Sequence, residues 1–216
     1  MTKDQRYIFD QIASSWYHLR HHSIFTEELT SLSKRWQKGK LLNLGCGHGA
    51  DFIPFKDSFE LHGIDFSKGM VDMAVKYTAK YNFQSSILVA DITELPYPDE
   101  SFDWAISVAT YHHIDNEPSR LKALKELYRV LKNNGEAFIT VWNRYQPRFF
   151  LSKSDVLVPW RKKDNVLYRY YHLFSYYEME RLARNAGFKI LSSAPENRFK
   201  LPFKLFSRNI CLLLKK

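Results

Sequence analysis

Cysteine is scarce in this 216-residue chain: only Cys46 and Cys211 occur. Two thiols cannot build a disulfide scaffold, and no C-x-x-C pair offers a zinc site, so both are expected to be reduced and no metal is expected. Long apolar runs are missing too. Nothing approaches the ~20 residues of a membrane helix; the closing ICLLLKK is too short, and the opening MTKDQRYIFDQIASSWYHLRHH is too polar for a signal peptide. These absences predict a cytoplasmic protein with no membrane partner. Internal repeats and low-complexity linkers are also lacking. What remains is ordinary for a globular protein, 45% hydrophobic and 25% charged residues, which excludes disorder as the main theme and suits one domain over residues 1–216.

Charge is unevenly divided. Residues 143–216 carry 16 Lys+Arg against 5 Asp+Glu, a net of +11, whereas residues 1–142 carry a net of −2. Such asymmetry suits a polyanionic partner, with a solvated basic face as the bland alternative. Aromatics crowd the same region: Trp142 to Tyr177 holds 11 of them with basic residues between. That mixture can stack bases and pair with phosphates or carboxylates, or simply pack a loop over the core.

Hydrophobic spacing predicts two amphipathic helices, Asp4–Leu19 and Ile24–Trp36, forming an N-terminal cap over residues 1–36. Alternating strands and helices follow: strand Lys40–Leu44, helix Ala50–Phe55 shortened by Pro54, strand Phe59–Ile64, helix Lys68–Lys80 capped by Ser67, strand Ser86–Ala90, strand Phe102–Ala109, helix Pro118–Leu131 and strand Glu136–Trp142. Several strands are unbroken apolar runs, so the sheet is expected to be parallel and covered on both faces: an α/β, doubly wound fold. Residues 143–174 break the rhythm and read as an irregular substrate-recognition insert. A helix Tyr176–Ala186, a strand Phe188–Ser192 and a last strand near Phe206–Leu214 close the chain.

The chemistry is carried by Leu41-Leu42-Asn43-Leu44-Gly45-Cys46-Gly47-His48-Gly49-Ala50, a G-x-G-x-G loop between strand and helix, where glycine permits a sharp turn and close approach to a ligand. Asp65 ends the next strand 20 residues after Gly45, the position from which an acidic side chain meets ribose hydroxyls. Asp91 ends the third strand and can accept an adenine amino group, with Ile92 beside it to cover the base. The loop is one residue tighter than the dinucleotide fingerprint. With the segment Leu95-Pro96-Tyr97-Pro98-Asp99-Glu100-Ser101-Phe102-Asp103, it resembles the class I S-adenosylmethionine-dependent methyltransferases, whose fold is a mostly parallel seven-stranded sheet with an antiparallel C-terminal strand. That resemblance implies S-adenosyl-L-methionine as cofactor, held by Arg20, Gly45, Cys46, Gly47, Asp65, Phe66, Asp91, Ile92 and Val108. Asn43 departs from the family's usual acidic residue and lacks the negative charge that favours the cofactor's ammonium group.

Three further strings, Ser107-Val108-Ala109-Thr110-Tyr111-His112-His113, Asp155-Val156-Leu157-Val158-Pro159-Trp160 and Arg169-Tyr170-Tyr171-His172-Leu173-Phe174, resemble the tRNA wobble-uridine carboxyl methyltransferases, which esterify 5-carboxymethyluridine in the anticodon. The likeness runs from Ile12–Arg20 to Arg208-Asn209, after which Ile210 stands where the family often has tryptophan. It implies the anticodon stem-loop of tRNA as substrate and a small zinc-binding activator protein as partner, docked on an apolar edge strand at Ser85–Ala90. An ionised carboxylate acceptor needs a positioning clamp and no general base; Arg144, Arg169, Tyr170 and His172 are the candidates, with His113 near the transferred methyl and Asp155 orienting an arginine. Trp160 reads as a packing anchor, one of Tyr170 and Tyr171 as core, and one of His112 and His113 as the ligand contact. Two other functions fit the residues: methylation of a small-molecule or lipid acid, and a non-catalytic cofactor-binding subunit that positions RNA.

Overall fold

The computed structural model describes residues 3–162 and 165–216. Lys163, within the basic run at residues 161–163, lies outside the described residues. Seven strands form one sheet in the order β3-β2-β1-β4-β5-β9-β8: β1 Gly39–Leu44, β2 Phe59–Asp65, β3 Ser86–Val89, β4 Phe102–Val108, β5 Leu131–Trp142, β8 Lys189–Pro195 and β9 Asn209–Lys215. All neighbours from β3 to β5 pair in parallel, and β9 runs antiparallel between β5 and β8. The doubly wound sheet and its antiparallel C-terminal strand are as expected. The apolar strand runs are fully buried at Leu41, Leu42, Leu44, Ala105, Ile106, Ile139 and Val141, the pattern of a sheet covered on both faces.

The helices are α1 Lys3–Leu19, α2 Thr26–Trp36, α3 Lys68–Lys80, α4 Glu117–Val130 and α5 Tyr176–Asn185. Ser67 accepts from the Met70 N–H at the start of α3, as the sequence suggests, and Asn116 and Ser175 play the same part for α4 and α5. Residues Phe9, Ile12 and Ala13 form the apolar stripe of α1 and pack on Phe66 and Met70. Two polar ties fix that helix. Asp10 Oδ1 accepts from Ser67 Oγ at 2.6 Å and from the Gly69 N–H at 2.9 Å, and Gln5 Oε1 accepts from the Tyr170 N–H at 3.0 Å. Helix α1 therefore bridges the start of α3 and the C-terminal half of the chain.

Two expectations need correction. Ala50–Phe55 is a 3-10 turn, because Gly49 enters it at φ 88° and Pro54 removes a donor within it. Residues 143–174 are not irregular: β6 Asp155–Lys162 and β7 Asn165–His172 pair antiparallel as a hairpin. Aromatic and basic density hides the alternation there, yet Arg169 and Tyr171 are buried on β7 while Tyr168 is exposed. Among the described residues no helix is long and apolar enough to cross a membrane.

Candidate active site

Strand β1 is the switch point of the sheet, pairing with β2 on one side and β4 on the other, and ligands of doubly wound sheets bind beyond the carboxyl ends at such a point. Here the loops after β1 and β4 are tied together: Ser107 Oγ and Thr110 Oγ1 both donate to the Leu44 carbonyl at 3.1 Å. Gly45, at φ 68°, lies so close to Thr110 that a Cβ would stand 2.3 Å from its side chain. Gly47, at φ 53°, differs: a Cβ there would meet nothing within 4 Å. It borders a cavity of about 400 Å³ enclosed by the glycine loop, α1, the turn after β4 and the β6–β7 hairpin.

The cavity lining includes two carboxylates, Asp51 and Asp65. Asp65 Oδ2 accepts from the Gly47 N–H and Oδ1 from the Ser67 N–H, both at 2.9 Å. Each oxygen keeps capacity to accept a hydroxyl. Burial pushes the Asp65 carboxyl up to about 6, against those two backbone donors; desolvation likewise lifts Asp51 to about 6. His48 lines the cavity too, with Nε2 buried and unpartnered among the described residues, and burial lowers it to about 4. A clear floor at Gly47, a buried carboxylate with free acceptor capacity and an orphaned ring nitrogen fit a ribose-bearing cofactor.

The cavity lining is also basic and aromatic. Arg169 is 7% exposed, its Nε has no hydrogen-bond partner, and no carboxylate pairs with it among the described residues. Its guanidinium carbon lies 5.0 Å from the Trp160 ring, 5.3 Å from Tyr171 and 5.7 Å from Trp16. Burial pulls its pKa down from the usual arginine value. Arg148 and Arg208 line the cavity as well. His113 Nδ1–H donates to the Tyr170 carbonyl, 2.9 Å away; burial holds the ring down at about 3, so it is neutral and Nε2 is left an acceptor. His112 is also held neutral by burial, and its Nδ1 accepts from the Trp142 N–H at 3.3 Å.

Arg20, Gly45, Cys46, Gly47, Asp65, Phe66, Val108, His113 and Arg169 thus come together around one cavity. The other site residues expected from sequence do not line it. Asp91 Oδ1 accepts from the Thr93 N–H and hydroxyl, both 2.9 Å away, and Ile92 is packed into the main core. Arg144 is exposed, and its N–H is bonded to Phe174. Tyr170 and His172 occupy the face of β7 opposite Arg169, as period-two alternation demands. The Tyr170 hydroxyl donates to Asp155 Oδ1 at 2.6 Å and accepts from Arg120 at 3.0 Å; His172 reaches Asp155 and Glu178, each at 2.7 Å. Asp155 therefore orients these two side chains, and the arginine it approaches is Arg120, at 3.8 Å, and not Arg169. Both His112 and His113 line the cavity, because they lie in a 3-10 turn, Tyr111–His113, and not at a strand end. Trp16, His48, Asp51, Thr110, Arg148 and Arg208 also line it without having been assigned from sequence. His48 was visible within the glycine loop itself; the arginines carry no local signal. Asn43 is fully buried in β1, with both amide atoms unpartnered among the described residues, and does not line the cavity.

The geometry agrees with comparison to known proteins. Residues 42–139 match the model of a methyltransferase domain. The chain is 30% identical over 164 residues to a putative methyltransferase of Encephalitozoon cuniculi, covering 72% of this chain and 73% of that one. It is 30% identical over 175 residues to the tRNA (carboxymethyluridine(34)-5-O)-methyltransferase of Schizosaccharomyces pombe, covering 69% and 73%. It spans only 25% of the length of the mammalian relatives it matches. In fold it superposes on an S-adenosylmethionine-dependent methyltransferase from Clostridium acetobutylicum with a TM-score of 0.72 at 16% identity, over 97% of this chain and 96% of that one. With glycine loop, carboxylate and sheet order in agreement, the chain belongs to the class I S-adenosylmethionine-dependent methyltransferases and is a relative of their tRNA carboxymethyluridine members.

Proposed function

We propose that this enzyme methylates the carboxylate of 5-carboxymethyluridine at the wobble position of tRNA. The observation that carries the reading is Arg169, a buried guanidinium without a carboxylate partner among the described residues, in the lining of the same cavity as Asp65. A buried cation of this kind asks for an anion, and a planar fork suits a carboxylate. When bound, S-adenosylmethionine supplies an activated methyl group. Gly45, Gly47 and Asp65 would hold it, with Arg20, Phe66 and Val108 around it.

The protein's own work is then positional. Arg169 aligns the acceptor oxygens, with Arg148 and Arg208 adding positive charge. Neutral His113 leaves an acceptor nitrogen at the site without competing for the carboxylate. The aromatic walls from Trp16, Trp160 and Tyr171 exclude water, which strengthens these contacts. We assign residues 143–174 as the acceptor-binding insert of one domain. At the opposite edge of the sheet, β3 exposes Leu88 and Val89; this apolar edge would pair with the small zinc-binding activator, and full activity of a monodisperse isolated chain would make that partner unnecessary.

The test is transfer of labelled methyl from the cofactor to synthetic anticodon stem-loops. One carrying 5-carboxymethyluridine should become an ester, and one carrying plain uridine should stay unlabelled. Equal labelling of both, or turnover of free organic acids in their place, would overturn the reading.

A further inference from the structure

Two surface segments outside the reaction centre meet at the rim of the cavity. Residues 144–153 and 197–208 hold seven Lys and Arg and no Asp or Glu. They are stitched together beneath the surface. Asn143 Nδ2 donates to the carbonyls of Leu205 at 2.7 Å and Ser207 at 2.8 Å, and Gln146 Nε2 donates to Arg208 at 3.3 Å. Across the seam the Phe150 and Phe206 rings stand 6.2 Å apart. Large apolar side chains on these segments face outward: Leu151 is 95% exposed and Phe203 69%, with Leu201 and Leu205 also exposed. Such a concentration on a rim that already faces a ligand cavity marks a binding surface. Arg148 and Arg208 belong to both the segments and the cavity lining, so the surface is continuous with the cavity.

We infer that this rim is a stacking platform for the unpaired nucleotides flanking the one being methylated. Outward phenylalanines among cations, with no acidic residue, match what a single strand presents: exposed base faces and a phosphate chain. A paired duplex offers the phosphates but keeps its base faces covered, so the phenylalanines give it nothing. The inference rests on the tRNA reading and deepens it, by assigning the surface that receives the nucleotides on either side of the acceptor.

The experiment uses the full chain with an anticodon stem-loop and a fully paired RNA duplex of equal phosphate number. Phe203→Ala with Phe206→Ala should weaken stem-loop binding about tenfold or more, while duplex affinity and salt dependence stay unchanged. Phe203→Trp in the same background should recover the stem-loop affinity. Both side chains are exposed, so the variants should melt as wild type does. Equal loss on both RNAs, no loss, or no recovery with tryptophan would overturn the platform. So would wild-type binding to phosphatidylcholine–phosphatidylserine vesicles that disappears with the same substitutions, or a wild-type dimer that they dissociate. An unchanged KM for a stem-loop that wild type does methylate sinks the platform alone; a wild type that binds neither RNA sinks the tRNA reading with it.

Discussion

Gly45 and Gly47 sit two residues apart, both at positive φ, and differ in what surrounds them. Gly45→Ala drives a Cβ into Thr110 and should cost ~3 kcal/mol or more in folding stability, from overpacking added to the left-handed backbone penalty. Gly47→Ala has open space and should cost ~1–2 kcal/mol, while under the proposed cofactor placement its methyl should crowd the ligand. Thermal melts and calorimetry on the pair should show the larger stability loss in the first and, in the second, a cofactor affinity reduced out of proportion to its melting shift. Asp65 adds a pH signature. Asp65→Ala should cost ~1.5–3 kcal/mol of cofactor binding, as for hydrogen bonds to a charged group. In the wild type, affinity should fall as pH drops through about 6, because protonation removes the charge that accepts from ribose. For the ligand-free fold the sign reverses. The folded-state pKa lies above the ordinary 3.8, so this group favours folding at low pH and loses that contribution as pH rises from 3.8 through about 6. Calorimetric affinity that is flat between pH 5 and 8 would contradict the assignment. Arg169→Lys keeps the charge but loses the fork; it should lower kcat/KM on the carboxylate acceptor by ~1–3 kcal/mol equivalent, and wild-type kinetics would remove the clamp.

At the scale of elements, the β6–β7 hairpin is held from behind. Arg120 on α4 and Glu178 on α5 meet Asp155, Tyr170 and His172, and the opposite face of β7 carries Arg169 and Tyr171. Tyr170→Phe removes the hydroxyl shared by Arg120 and Asp155 and should lower stability by ~1–3 kcal/mol. Cofactor affinity should be unchanged and KM for RNA should rise as the hairpin loosens. A collapse of kcat at constant KM would instead put Tyr170 on the substrate. The same hairpin marks how far sequence reading reached. Apolar runs at residues 41–44 and 104–108 and the helical stripe of α1 depend on neighbours close in sequence, and the elements they predict are present. The run Arg169-Tyr170-Tyr171-His172 also obeys a local rule, period two, but its crowd of aromatic and charged residues masks which face is buried. Reading it as a loop grouped Arg169 with Tyr170 and His172, which the pleat separates. Arg148 and Arg208, 60 residues apart in the chain, share a cavity only through the seam made by Asn143 and Gln146, and no local pattern announces such a meeting.

For the whole molecule, the division between a −2 portion and a +11 portion predicts binding dominated by phosphate contacts. The logarithm of RNA affinity should fall linearly with that of salt, with a slope of about −0.7 to −0.9 per phosphate neutralised. Charge reversal at Arg161 and Lys162 should flatten the slope by about one per cation lost, without altering preference for the modified nucleoside. Filter binding across a salt series checks this, and salt-independent affinity would point to a small substrate in place of RNA.

The five tryptophans are distributed in a way that makes the protein its own optical probe. Trp16, Trp142 and Trp160 border the cavity, two of them beside the Arg169 guanidinium. Trp36 and Trp104 lie in a separate core cluster, stacked at 5.2 Å and 6° between planes. Ligand arrival should therefore quench or shift one class of indole emission while the stacked pair supplies an internal reference, and near-ultraviolet dichroism from that pair should report global unfolding independently of occupancy.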